Sequence, residues 1–239
     1  MVLPRITTPI YELEIPSSKK KIRYRPFLVK EEKILIIAME SEDGKQIANA
    51  VKSVISNCIL SKGVKVEDLA TFDIEYLFLN FRAKSVGESV DILITCPDDN
   101  TTKVPVTINL DEIEVQEQEG HNKDIKLDDI LTMRMKYPSM SEFVKNNFNN
   151  SDGIGVNESF DLIASCIDQI YSEEESWSGS DSTKKELLEF IEQLNSNQFK
   201  EVESFFDTMP KLSHVIKITN PNTKVESEVV IEGLTAFLK

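Results

Sequence analysis

The chain has 239 residues, 40% of them hydrophobic, enough for one large domain or two small ones with a real core, which excludes a disordered polypeptide. Its formal charge of −14 is uneven: residues 1–60 carry ten Lys/Arg against seven Asp/Glu, and residues 61–239 carry seventeen against thirty-four. An acidic body repels phosphate, so nucleic-acid binding as the main task requires a local basic groove, for which the run Lys19 to Arg25 is the candidate.

In chain order, Tyr11 to Ile15 alternates apolar and acidic side chains, Pro16-Ser17-Ser18 interrupts, and Ile22, Tyr24 and Phe27 resume beside Lys21, Arg23 and Arg25. That pattern predicts a hairpin with Glu12 and Glu14 near the basic residues. Apolar spacing then predicts helices over Val29 to Met39, Ile47 to Cys58 and Glu67 to Ala83, the last so apolar that it belongs at the centre of a bundle. Ser89 to Thr95 and Lys103 to Ile108 flank the turn-rich Cys96 to Asn100 and read as a second hairpin. Ile113 to Val115 and Ile125 to Tyr137 are expected to extend its sheet. Beyond Pro138 the pattern predicts helices over Ser139 to Phe148, Asn157 to Tyr171, Thr183 to Leu194 and Gln198 to Asp207, with Ser196 or Asn197 capping the last. A polar loop, Ser172 to Ser182, lies among them. Val215 to Ile218, the turn Asn220-Pro221-Asn222-Thr223 and Val225 to Ile231 make a final hairpin, followed by a short tail, Leu234 to Leu238. The expected fold class is α+β: residues 1–137 form a domain of hairpin, three helices and antiparallel sheet, and residues 138–239 a mostly helical domain with a terminal hairpin.

Little in the sequence speaks for chemistry. Cys58, Cys96 and Cys166 are far apart with no CxxC pair and read as buried, reduced thiols; with His121 and His214 they leave little material for a metal or for acid–base work. Gly153-Ile154-Gly155 lacks the further residues of a phosphate loop, and no GxSxG motif occurs. Asp98-Asp99 and Asp128-Asp129 sit in turns, where Asp serves local hydrogen bonds. The lone tryptophan, Trp177, lies between acidic and small residues, either as a partner anchor or folded back on the preceding helix. The opening residues hold no leader pattern, and no apolar run nears the ~20 residues of a membrane span, so the expected location is the cytosol.

Four stretches carry a family resemblance: Ile22 to Lys33 (IRYRPFLVKEEK), Phe72 to Leu79 (FDIEYLFL), Arg82 to Glu88 (RAKSVGE), and Phe205 to His214 closing toward Glu232-Gly233-Leu234. The chain resembles the baseplate hub subunit, or hub assembly protein, of T4-type contractile-tailed bacteriophages. The resemblance implies a non-enzymatic late protein needed to build the tail baseplate hub in the host bacterial cytoplasm, as a chaperone or a virion subunit. Its implied partners are hub or tape-measure proteins, with no small-molecule substrate. Relatives often carry paired cysteines in the turn of the last hairpin; here that turn is Asn220-Pro221-Asn222-Thr223, so no metal and no cofactor is carried over. The expected docking surface comprises Arg23, Arg25, Lys30, Arg82 and Lys84, basic residues of the resembling stretches, together with Trp177. A nucleic-acid adaptor working through residues 19–25 is the alternative.

Overall fold

The computed structural model describes residues 6–41, 43–139 and 155–233. Contacts divide the chain into two compact units: residues 1–116 together with 211–239, and residues 117–210. The fold class is α+β, with helices and antiparallel sheets in each unit.

In the first unit the expected hairpin forms from β1 (Tyr11–Glu14) and β2 (Lys21–Tyr24), which place Glu12 opposite Arg23 and Glu14 opposite Lys21. Alternation buries Ile22 and Tyr24 and turns Lys21 and Arg23 outward. Helices α1 (Val29–Glu40), α2 (Gly44–Cys58) and α3 (Thr71–Val86) follow. The backbone after α2 joins the hairpin, since Leu60 N–H donates to the Arg23 carbonyl and Arg25 N–H to the Cys58 carbonyl. The third helix starts later than its apolar pattern suggests: Val66–Asp68 is a separate 3-10 turn, and Leu69 and Ala70 are extended. On α3, Phe72, Ile74, Leu77, Phe78, Leu79 and Phe81 are all buried, as expected of a central helix. Tyr24 stacks on Phe81 with ring centroids 4.4 Å apart, and burial raises its hydroxyl to about 12.

The second hairpin is β3 (Ser89–Thr95) with β4 (Lys103–Asn109). The next strand does not extend it. Instead β5 (Glu114–Gln116) pairs with the far end of the chain, in a three-stranded sheet of order β11-β10-β5 formed with β10 (Lys211–Thr219) and β11 (Glu226–Glu232). The final hairpin therefore belongs to the first unit.

The second unit contains the sheet β6-β7-β8-β9, made of Asp124–Lys126, Thr132–Met135, Ile167–Tyr171 and Ser176–Ser178 in that order. Among the described residues its helices are α4 (Val156–Cys166), α5 (Lys184–Ile191) and α6 (Ser196–Thr208). Met133, Met135, Ile163, Ile167, Ile170, Ile191, Val202 and Phe205 share its core. The expected boundary at residue 137 falls inside this unit, because β7, before it, pairs with β8, after it. Helix α6 is capped one residue earlier than expected, by the side chain of Asn195, which accepts from Asn197 N–H and Gln198 N–H.

Two expectations here are corrected. The segment predicted as one helix over Asn157 to Tyr171 is helix only to Cys166 and strand thereafter. The register of β8 against β7 shifts between Arg134 and Met135, so that Ile167 faces Met135 while Gln169 faces Arg134 and Asp168 is the extra residue. That bulge brings Ile167 and Ile170, three apart, onto the same buried face, which is the spacing a helix would also show. The polar loop Ser172 to Ser182 contains β9, with Trp177 opposite Ile170. The helix expected over Ser139 to Phe148, apart from Ser139 itself, and the tail Leu234 to Leu238 lie outside the described residues.

Candidate partner-binding surface

Two buried carboxylates sew the N-terminal hairpin onto the helices. Glu31 is the third residue of α1 and Asp73 the third residue of α3; each reaches back to the N–H of its helix N-cap, Leu28 at 2.9 Å and Ala70 at 3.1 Å. An acid at this position satisfies an otherwise orphaned amide and complements the positive end of the helix dipole. Both side chains also hold the hairpin. Asp73 accepts from the Ser17 N–H at 2.9 Å and from the Ser17 hydroxyl, within the β1–β2 turn. Glu31 accepts two guanidinium bonds from Arg25, at 2.9 and 3.2 Å.

Arg25 is consequently a structural residue in its geometry. Its side chain is 12% exposed and that of Glu31 is fully buried. Burial alone pushes the Glu31 carboxyl up, but hydrogen bonds from Arg25 and Leu28 N–H, with the charges of Arg25 and Lys30, hold it below the usual range. The Arg25 guanidinium is raised in return, chiefly by its bond to Glu31. Cys58 lies in the same place, 3.7 Å from Arg25, and burial lifts its thiol to about 11, leaving it inert.

The other basic residues divide. Arg23 stands exposed on β2, its backbone N–H held by the Ser61 hydroxyl. Lys30 is 64% exposed at the start of α1, with its ammonium 3.4 Å from Glu31. Arg82 is half-buried on α3, and burial pulls its guanidinium below its ordinary value. Lys84 is held between Glu88, at 2.6 Å, and Asp111, at 3.0 Å, and the bonds to these two raise its ammonium. Trp177 lies in the second unit, nearly half exposed on edge strand β9. Arg23 and Lys30 are thus presented to solvent, Lys30 while also 3.4 Å from Glu31, whereas Arg25 and Lys84 are held by shorter bonds and are mostly covered. Glu31 and Asp73 have no place among the residues singled out from sequence, although the spacing of an acid three residues after a helix boundary was readable.

The turns of the two long hairpins in the first unit interlock. Both follow an X-Pro-X-X pattern closed by a left-handed residue: Asn100 N–H donates to the Cys96 carbonyl, and Lys224 N–H to the Asn220 carbonyl, with φ of 54° and 65° at Asn100 and Lys224. Asn220, 1% exposed, accepts from Asn222 N–H within its own turn. Its amide nitrogen lies 3.0 Å from both oxygens of Asp98 and from one of Asp99. Thr223 donates to Asp98, and Asn222 to Thr102. The Asn220 and Thr223 bonds hold the Asp98 carboxyl low, and Asp99 is lowered first by Thr102. This donor set, one buried thiol with an amide, carboxylates and hydroxyls already bonded to one another, does not fit a zinc knuckle. Among the described residues no group of three or more His, Cys, Asp or Glu is placed to hold a metal ion.

In the second unit a cleft of about 450 Å³ is lined by residues including Asp124, Lys126, Glu201 and Phe205. Asp124 is bound to Arg134 at 2.7 and 3.0 Å, a cross-strand pair. Near it, His121 lies between Thr208, at 3.0 Å from Nδ1, and Tyr137, at 3.1 Å from Nε2. Thr208 donates its own hydroxyl to the Ser204 carbonyl at 2.6 Å, so it accepts from His121 Nδ1–H, and Nε2 accepts from Tyr137. Burial lowers the His121 pKa, Lys123 adds to this, and Glu117 opposes it.

No helix among the described residues is long and apolar enough to cross a membrane. No curated protein and no solved structure matches the chain. The family described as T4 bacteriophage base plate protein matches residues 8–239, through both units and all four resembling stretches. A match over nearly the whole length makes this chain a member of the T4 bacteriophage base plate protein family, proteins of the phage tail that work among other phage structural proteins.

Proposed function

We propose that this chain is a non-enzymatic component of baseplate hub assembly that holds hub or tape-measure proteins in the infected bacterial cytoplasm, as a chaperone or as a subunit. The observation that carries the reading is family membership over residues 8–239. The proposed docking surface is the outer face of the N-terminal hairpin and the start of α1, with Arg23 and Lys30 as its charged contacts. Both project from an otherwise acidic protein and both are exposed, which suits an acidic partner surface. Arg25 serves this surface indirectly, by fixing the hairpin to α1. Trp177 is a separate candidate anchor on the second unit.

The test is a pull-down from infected-cell lysate with the hub and tape-measure proteins identified by mass spectrometry. Arg23→Glu with Lys30→Gln should abolish their capture with only a small fall in melting temperature, since Lys30 gives Glu31 one exposed counter-charge beside its two bonds from Arg25. Undiminished capture would remove this surface from consideration, and binding that follows DNA at physiological salt would favour the adaptor reading instead. Presence of the chain in purified virions makes it a subunit; absence there, with capture in lysate, makes it a chaperone.

A further inference from the structure

Residues 34–39 of helix α1 are apolar on every side of the helix, yet along the whole of α1 only Glu31 and Ala38 are buried. Val29 is 79% exposed, Ile36 56% and Ile37 54%, with Ile34 and Met39 exposed on the flanks. A helix of this composition belongs inside an interface rather than in water. Its inner side, through Glu31, Leu35 and Ala38, faces its own unit, so the outer side runs through Val29, Lys33, Ile36, Ile37 and Glu40.

The charges on that outer line say what covers it. Lys33 and Glu40 stand two turns apart on one line, at equal distances on either side of Ile36 and Ile37, about 5 Å along the axis each way. We infer that a second copy of this chain covers the face, with the two α1 helices antiparallel across a twofold axis at Ile36 and Ile37. In this register Ile36 of each copy comes level with Ile37 of the other, and each Lys33 with the Glu40 of the other copy. A parallel pairing would set Lys33 against Lys33 and Glu40 against Glu40, which like-charge repulsion disfavours. The interface is isologous and closes at two copies. A 12-residue helix is about 18 Å long and supplies only the centre of a standard interface of about 800 Å² per partner, so the dimer is weak, in the range of about 1–100 μM. The dimer face shares the start of α1 with the proposed hub-binding surface; the two readings are told apart by their probes, since sedimentation of the purified chain reads only copies of this chain and capture from lysate reads hub proteins.

Sedimentation equilibrium on the full purified chain tests it. The wild type should dimerise in that range, and Ile36→Glu with Ile37→Glu should be monomeric while keeping the wild-type circular dichroism spectrum and melting temperature. Lys33→Glu alone and Glu40→Lys alone should each weaken the dimer about tenfold, since each replaces two attractive contacts with two repulsive ones. Mixing those two variants should restore wild-type affinity, because only the mixed pair then matches Lys with Glu at both contacts. A wild-type chain still monomeric at about 500 μM would overturn the inference. So would a dimer that survives the double Ile→Glu change, or a mixture that fails to recover.

Discussion

Replacing Arg25 by alanine tests whether this residue is part of the frame or part of the docking surface. The change removes both guanidinium bonds to Glu31 and leaves a fully buried carboxylate with the Leu28 N–H and, 3.4 Å away, the ammonium of Lys30. Breaking one side of a buried ion pair costs about 3–5 kcal/mol, because the remaining charge has lost its partner without regaining water. Arg23→Ala, two residues earlier on the exposed face, is expected within about 0.5 kcal/mol of wild type. Urea denaturation followed by far-ultraviolet circular dichroism measures both. A double change, Arg25→Met with Glu31→Leu, should cost less than Arg25→Ala alone, since it removes the stranded charge, although the Leu28 N–H then lacks its acceptor. The pH dependence follows from the depressed Glu31 carboxyl: its contribution is fully present above the unfolded value of 4.5 and is lost as pH falls through the lower folded value. Arg25→Ala should therefore lose most of its deficit relative to wild type in strong acid. If Arg25→Ala proves as harmless as Arg23→Ala, the clamp is refuted and Arg25 returns to the docking surface.

Three further outcomes are expected. Asn220→Ala removes a buried amide that bonds within its own turn and across to the neighbouring one, and should destabilise the protein by about 1–3 kcal/mol in the same assay. Asn220→Asp should be worse at pH 7, where a new carboxylate faces Asp98 and Asp99, and its excess over Asn220→Ala should shrink as the pH is lowered. For His121, whose folded pKa lies below 6.5, the unfolded chain binds the proton more tightly, so stability is full above the unfolded value and declines as pH falls through it. Denaturation followed by Trp177 fluorescence, which reports on the second unit, should show that decline below about pH 6.5, and His121→Gln should flatten it. Gly179→Ala should destabilise the second unit by more than about 2 kcal/mol, because a Cβ there would meet the Ile167 carbonyl oxygen at the β8 bulge, a backbone atom that cannot step aside; an unchanged Trp177 unfolding midpoint would contradict the bulge geometry.

Much of the local structure was legible. The hairpins β1–β2, β3–β4 and β10–β11 and the helices α1 and α2 follow from alternation, helical spacing and turn residues within a dozen positions. The switch at Cys166 was hidden because Ile167 and Ile170 keep helical spacing, and only pairing with β7 reveals the bulge that makes such spacing fit a strand. At the surface, charge and resemblance picked out Arg23, Arg25 and Lys30 together, but a charged side chain's role depends on what lies within a few ångströms of it.

The sequence by itself determined most element types outside the stretch 167–178, the acidic body with its basic beginning, the buried cysteines and the family, all of which rest on composition or on near neighbours along the chain. Tertiary structure alone decided that β5 joins β10 about a hundred residues later, that the last hairpin completes the first unit, and that Arg25 turns inward while Arg23 and Lys30 face out. The reason is physical: strand pairing and ion pairing are satisfied by whichever group the whole fold brings near, and hydrophobic periodicity records which face is buried without recording against what.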